Sequence, residues 1–433
     1  MLLEKVFNIK HFHNLTNSDH VGLVRYFKNT GWLFVSRILS LIISLFISLY
    51  VIRYLGPTNY GTLSYAISFT SLFAFIAGFG VDSIVYRELI KNPEKEAEIL
   101  GSAFLIKLIT GIVAVLFCCI SALLIGASNI EISLIAIVSI PMILNSMQVI
   151  IHAYNAKVQS KYPAIIIVSI NIILALCKLL VVYFDKGIIY FALIVLFESI
   201  LYALFYSFLY QKHFSLLSKW HVKKDMLRIL LIGGLPLATS AISITIYSRI
   251  DQVMIKHMID ATSVGLYDAA VRLSDVWYLI PNILITSLFP AIINSKKVSQ
   301  KLFIQRIKLF ALLLISINLI IIIPTYFLSH HIVNLLFGEA FAQSAGVLSI
   351  YIWSLIGFGL GQLAYTYLLA EDFLYIYLLT SLFSVIVNVS LNLLLIPIYG
   401  ITGAAISTSV AYSLIPVIPF AFKKIREQLY ISN

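Results

Sequence analysis

Asp268, Arg272 and Asp275 lie four and three positions apart in a largely apolar stretch. On a helix those spacings place all three on one face. Two carboxylates around a guanidinium form either a closed structural ladder or a polar lining that exchanges partners with a charged solute. In the second case Arg272 is the best anion contact. Asp275 is about eleven residues into its helix, a depth of roughly 16 Å. Arg249 and Asp251, near the end of the preceding apolar run, are two apart. They do not share a helix face, so each needs its own partner. They are either an interfacial pair or contacts for a solute.

Further charges sit within apolar runs. Arg37, in Val35-Ser36-Arg37-Ile38-Leu39-Ser40, would lie roughly 10–12 Å inside one end of its helix. It either faces a polar lumen, on the small polar side made by Ser36, Ser40 and Ser44, or snorkels to the headgroups. Glu198 is near the middle of another run and Lys178 lies in the run before it. A carboxyl at that depth either exchanges protons, as ion coupling requires, or is held neutral or paired with Lys178. Each intramembrane charge costs about 2.5–3.5 kcal/mol on insertion scales, and such residues usually face a protein interior or a wet cavity. Tyr247, Tyr278 and Tyr365 are either packing residues or surfaces on which sugar rings could stack. Pro236, Pro281, Pro290, Pro324 and Pro397 are either static bends or hinges.

The elements that must position these groups are membrane-spanning helices. Of the 433 residues 61% are hydrophobic and 11% charged, against about 25% charged in soluble domains. Twelve runs of roughly 20 apolar residues are long enough to span a bilayer: about 30–52, 62–82, 101–125, 132–154, 163–184, 188–210, 229–254, 264–292, 307–328, 345–369, 373–396 and 400–422. Lys and Arg concentrate in alternate links. Twenty-two of them, including Arg87, Lys157, Lys223 and Lys424, fall on the side of the N-terminus, against Arg53, Lys186 and Lys256 on the other. By the positive-inside rule both termini are cytosolic.

The net charge of +11 follows from this topology, and no basic–aromatic cluster points to nucleic acid. Residues 1–28 do not read as a signal peptide and are expected to form a cytosolic arm that can lie on the membrane surface. A six-helix bundle over 29–210, a basic cytosolic link over 211–228, a second six-helix bundle over 229–422 and a cytosolic tail over 423–433 complete the organisation. A faint repeat supports the halves: Tyr60-Gly61 recurs as Val264-Gly265, 204 residues later, each at the start of the second helix of its half. Both halves would then have the same orientation, related by a pseudo-twofold along the membrane normal.

Catalytic signatures are missing. There is no Walker A loop, G-x-S-x-G, H-E-x-x-H or dinucleotide fingerprint. Cys118, Cys119 and Cys177 have no metal-ligand spacing, and neither do the adjacent His330 and His331. No catalytic residue, metal or cofactor is expected, and the chain is not expected to be an enzyme.

Arg53-Tyr54-Leu55-Gly56-Pro57, Tyr60-Gly61, Gly78-Phe79-Gly80 and Tyr86-Arg87-Glu88-Leu89 form an ordered series. In the second half follow Gly234-Leu235-Pro236-Leu237, the run Tyr247 to Ile255, Val264-Gly265-Leu266-Tyr267, Ala270-Val271-Arg272-Leu273, and Leu391 to Pro397 before Tyr399-Gly400. In order and spacing, over about Thr30 to Phe422, this resembles the Wzx-type O-antigen flippases of the multidrug/oligosaccharidyl-lipid/polysaccharide superfamily. The resemblance implies an all-α integral membrane protein with two MATE-like six-helix bundles in the bacterial inner membrane. It implies a flippase that moves an undecaprenyl-diphosphate-linked O-antigen repeat unit from the cytosolic to the periplasmic leaflet by alternating access. Twelve helices rather than fourteen favour the O-unit branch over lipid II flippases.

On that reading Arg37, Arg249 and Arg272, with Asp251, Asp268 and Asp275, are the candidate cavity residues for the diphosphate and sugar. Glu198 or Asp275 is the candidate for H+ or Na+ coupling. Partners are the lipid-linked oligosaccharide, membrane lipids, and a polysaccharide polymerase and chain-length regulator. The alternatives are a cation-coupled multidrug exporter on the same fold, favoured by acidic lumen residues, and an O-antigen ligase or polymerase, favoured by a catalytic outer loop.

Overall fold

A lipid environment offers backbone groups no hydrogen-bond partners, so apolar runs of this length must close their bonds within helices. The computed structural model describes residues 17–430, and every regular element among them is helical. Residues 1–16 of the expected arm and 431–433 of the tail lie outside the described residues. Residues 17–28 are already helical and continue into the first span.

Ten helical segments among the described residues are long and apolar enough to cross a membrane. The first, within α1 (Asn17–Ser71), is two helices joined at Gly56. Gly56 has φ 68° and ψ 172°, a region open essentially only to glycine, and Pro57 then starts the second helix without needing an N–H donor. The helix α10 (Lys224–Met258), 35 residues long, stands outside those ten. With the break and α10 counted, each of the twelve expected segments has a helix.

The chain divides into two compact units, one over residues 16–245 and the other holding 246–433. The division falls inside α10, and the first turns of that helix belong with the N-terminal unit. There a Cβ at Gly234 would stand 2.5 Å from Phe79 O. The basic link also packs on that unit, with a Cβ at Gly101 2.6 Å from His221 O and Lys223 paired to Glu98 at 2.6 Å.

In the N-terminal unit, α1 is followed by α2 (Ala74–Gly78), α3 (Val81–Lys91), α4 (Glu96–Leu124), α5 (Asn129–Ser139), α6 (Pro141–Leu144), α7 (Val149–Ala156), α8 (Lys161–Tyr183) and α9 (Ile188–His213). The C-terminal unit holds the end of α10, then α11 (Ala261–Asp275), α12 (Leu279–Lys296), α13 (Gln300–Phe337), α14 (Ser344–Tyr351), α15 (Ser354–Ala370), α16 (Leu374–Tyr399), α17 (Ile401–Val417) and α18 (Lys423–Tyr430).

The repeat heard faintly in the sequence is explicit in these elements. The break at Gly56 corresponds to Asp260, also 204 residues later, where the Asp260 carboxylate accepts from Ser263 N at 2.7 Å and caps α11. The second span of each unit breaks again, at Leu72–Phe73 and at the 3₁₀ turn Val276–Tyr278. The last membrane-length helix lying wholly in each unit starts after a glycine, Gly187 before α9 and Gly400 before α17.

Residues assigned to one membrane side by charge meet in space. Lys157 pairs with Glu96 at 2.6 Å, Tyr210 donates to the same carboxylate, and Lys223 pairs with Glu98. At the other end of the N-terminal unit Tyr54 donates to Asp185 and to Lys186 O. Close helix approach relies on small residues. A Cβ at Gly111 would lie 2.6 Å from Met142 O, and one at Gly403 2.3 Å from Leu395 O.

Candidate functional site

The end of α10, α11, α16 and α17 converge in the C-terminal unit on one buried carboxylate, Asp251, 3% exposed. Helices that pack apolar faces elsewhere here turn polar faces inward. On α16 the buried polar residues Ser381, Ser384, Asn388 and Asn392 are three, four and four apart, a single stripe. Thr408 comes from α17 and Tyr267 from α11. Asn392 Nδ2 donates to Asp251 Oδ1 at 2.6 Å, Tyr267 OH donates to Oδ2 at 2.7 Å, and Thr408 Oγ1 donates to Oδ2 as well. No arginine or lysine is among these hydrogen-bond partners: the carboxylate is met by neutral dipoles. Each of those donors, left buried without its acceptor, would cost about 1–3 kcal/mol.

The polar groups are not all used. Asn392 Oδ1, Asn388 Nδ2 and Ser384 Oγ are buried and have no hydrogen-bond partner, and all three residues are fully buried. Native interiors keep few such atoms, and each calls for an explanation. Around Asp251 stand the Thr408 and Tyr267 hydroxyls and the side-chain amides of Asn388 and Asn392, with Asn392 presenting its nitrogen. With those two amides rotated to present their oxygens, it would be a hard, all-oxygen set with one negative charge. It fits a small alkali cation better than a divalent ion, which takes more carboxylates, or a soft metal, which takes sulfur or imidazole.

One residue along α10, Gln252 donates to Asp268 Oδ1 at 2.7 Å, and Arg272 Nε donates to the other oxygen at 3.2 Å. The expected ladder is therefore built on its Asp268–Arg272 rung. Asp268 is buried, while the Arg272 side chain is 40% exposed. Asp275 is exposed at the end of α11, within electrostatic reach of Arg249, Asp268 and Arg272. Arg249, Asp251, Asp268, Arg272 and Asp275 thus all lie in the C-terminal unit. Arg37 lies in the other unit, exposed on α1. Glu198, on α9, is half-buried, and Lys178 of α8 is its charge partner.

Tyr247 and Tyr278 are engaged with other rings. Tyr278 stacks on Phe358 at 4.2 Å and donates to or accepts from Ser354 at 2.6 Å, and Tyr247 meets Tyr412 edge-on at 5.2 Å. Tyr365 packs against Tyr377 at 4.7 Å.

The N-terminal unit has a polar cluster of another kind. Asp82 of α3 takes Lys107 Nζ of α4 at 2.7 Å and lies 3.0 Å from His152 Nε2 of α7. The lysine side chain is 8% exposed and the aspartate 46%.

Reading charge alone misses Tyr267, Gln252, Asn388, Asn392 and Thr408, because neutral polar residues are common in spanning helices. The i, i+4 spacing of Ser384, Asn388 and Asn392 was the available signal. Asp82, Lys107 and His152 were passed over because they are far apart in sequence and near the edges of their runs.

The family described as polysaccharide biosynthesis protein matches residues 26–296. A capsular polysaccharide biosynthesis protein, CapF, of Staphylococcus aureus is 21% identical over 392 residues, 89% of this chain and 96% of the relative. A probable low-salt glycan biosynthesis flippase, Agl15, of Haloferax volcanii is 25% identical over 180 residues, 39% of this chain and 36% of the relative. Among solved structures, a multidrug resistance MATE transporter in an inward-facing conformation superposes with TM-score 0.75 at 13% identity, covering 91% of this chain and 96% of that one. The lipid II flippase MurJ superposes with TM-score 0.72 at 18% identity, covering 94% and 90%. The fold is MATE-like.

Proposed function

The chain belongs to the polysaccharide biosynthesis protein family, and from that premise we propose that it is a flippase for undecaprenyl-diphosphate-linked oligosaccharide repeat units, of the O-antigen type. It works in the bacterial inner membrane with both termini cytosolic, carries the head group from the cytosolic to the periplasmic leaflet by alternating access, and hands it to a polysaccharide polymerase and chain-length regulator. The polyprenyl tail stays in lipid throughout, since exposing it to water would cost about 0.8 kcal/mol per CH₂. Arg37, Arg249 and Arg272 attract the diphosphate.

The observation that carries a transport role is the Asp251 network: a buried carboxylate, held by neutral donors from three helices, beside orphaned amide atoms of Asn388 and Asn392. Asp251, Asn388, Asn392 and Thr408 would hold a sodium ion, with Asn388 and Asn392 turning their amide oxygens inward. Bound there, the ion supplies the charge that compensates Asp251 and ties α10, α16 and α17 together. This moves the coupling role from Glu198 and Asp275, which have charge partners or open exposure, to Asp251.

The test is a leaflet assay. The protein is placed in liposomes with an undecaprenyl-diphosphate-linked repeat unit, and a membrane-impermeant glycan-modifying enzyme reports exposure. Wild type is expected to expose the lipid-linked glycan, and Arg272→Ala and Arg37→Ala to slow it while remaining folded. Export of cationic dyes with no movement of any glycan lipid would replace this reading with the multidrug exporter.

A further inference from the structure

An apolar cavity of about 210 Å³ opens on the flank of the C-terminal unit, separate from the polar network. Pro416 and Pro419 create it. They end α17 and lead through the 3₁₀ turn Ile418–Ala421 to an extended Phe422, after which α18 sets off. Ile425 of α18 is 1% exposed and closes one wall. Small side chains, Ala311 of α13 and Ala364 of α15, leave the gap between their helices unfilled, with Ile315 and Leu363 beside them. Phe420, 52% exposed, stands at the mouth. An engineered apolar cavity of about 150 Å³ is dry and takes up benzene, so this one can hold a stretch of hydrocarbon chain.

Its rim is basic. Lys424 and Arg426 flank Ile425, and Lys308 follows the lining residue Ile307; all three are exposed. A hydrocarbon slot edged by cations matches an amphiphile with an apolar chain and an anionic head. Along α17 the cavity is eight to twelve residues past Thr408, roughly 12–18 Å from the Asp251 network, so it is a distinct site.

We propose that this cavity is a binding site for one acyl chain of an anionic phospholipid from the surrounding leaflet, whose phosphate is held by Lys308, Lys424 and Arg426. The lipid splints α18 to α13 and α15, filling a space that the protein's own side chains leave open. It does so whatever the transported substrate is.

The test places a reporter at the mouth. Phe420→Trp in lipid nanodiscs is titrated with brominated phosphatidylglycerol and, separately, brominated phosphatidylcholine, with the parent protein subtracted to remove its four tryptophans. Saturable quenching at low mole fraction of the anionic lipid is expected, with the neutral lipid quenching only in proportion to its abundance. Removing rim charges singly (Lys308→Gln, Lys424→Gln, Arg426→Gln) should weaken the anionic lipid about fivefold each. Ala311→Phe, which fills the slot, should abolish saturation while the thermal transition shows the protein still folded. Equal quenching by both lipids would overturn the proposal in favour of ordinary solvation by bulk lipid. Displacement by undecaprenyl diphosphate at equimolar phosphatidylglycerol would overturn it in favour of a site for the substrate's tail.

Discussion

The two units share a helical plan and differ in how each handles an aspartate set among its helices. In the N-terminal unit Asp82 is met by a full charge, Lys107 at 2.7 Å, with His152 at 3.0 Å, and keeps nearly half its side chain open. In the C-terminal unit Asp251 is closed off and met by hydroxyls and an amide, with further polar atoms orphaned nearby. A carboxylate neutralised by a lysine has no need of a further cation. One met by neutral dipoles leaves room for the cation proposed above, because the low local dielectric strengthens its pull on any ion that enters. A common scaffold thus meets one aspartate with a charged partner and the other with neutral dipoles, and the difference rests on a few side chains rather than on the fold.

The largest expected effect follows directly. Asp251→Ala removes the acceptor shared by Tyr267, Asn392 and Thr408, leaving them only longer contacts, and should destabilise the protein by about 3 kcal/mol or more. Lys107→Met leaves Asp82 with His152 and partial exposure and should cost only about 1 kcal/mol. Thermal unfolding in detergent, followed by fluorescence-detected size exclusion, measures both. Equal losses would break the comparison.

Next come positions where helices touch. Gly403→Ala in the C-terminal unit and Gly111→Ala in the N-terminal unit each drive a Cβ into backbone, at 2.3 Å and 2.6 Å, and should cost about 1–3 kcal/mol each in the same assay. A neutral result at either would mean that the backbones there slide apart freely.

The repeated break offers a finer contrast. Gly56→Ala forces a side chain into a glycine-only conformation at a cost of about 1–3 kcal/mol, whereas Asp260→Ala loses one cap, worth about 1 kcal/mol. Reversal of that order would show that the two breaks are built alike after all. Smallest of all should be Ser384→Ala. Its hydroxyl has no partner, so the change should leave stability within about 0.5 kcal/mol of wild type or above it. A clear loss would mean that this hydroxyl is satisfied in the folded protein.

Most of the architecture was legible in the sequence because lipid makes the pattern obligatory. A span must be long, apolar and helical, so runs such as 163–184 could be located to within a few residues of α8. The link between 52 and 62, in which Gly56 breaks the helix, and the repeat at Tyr60 and Val264 were also visible in the sequence. The site was half legible. Asp251 and Asp268 stood out as charges in apolar surroundings, and the four-residue spacing of Asp268 and Arg272 gave their contact. The partners of Asp251 did not stand out. Tyr267, Asn392 and Thr408 are 16 and 141 and 157 residues from it, and only tertiary packing decides which of many neutral polar residues meets which carboxylate. Asp82 and His152 escaped for the same reason.

The most direct measurement of the central claim is flipping driven by an imposed gradient. Proteoliposomes carrying the lipid-linked oligosaccharide are given a sodium gradient, a proton gradient or neither, for wild type, Asp251→Asn and His152→Gln. The account predicts that sodium alone stimulates wild type, that Asp251→Asn loses this stimulation, and that His152→Gln keeps it. Stimulation by protons alone, removed by His152→Gln and untouched by Asp251→Asn, would contradict it and place coupling in the N-terminal unit.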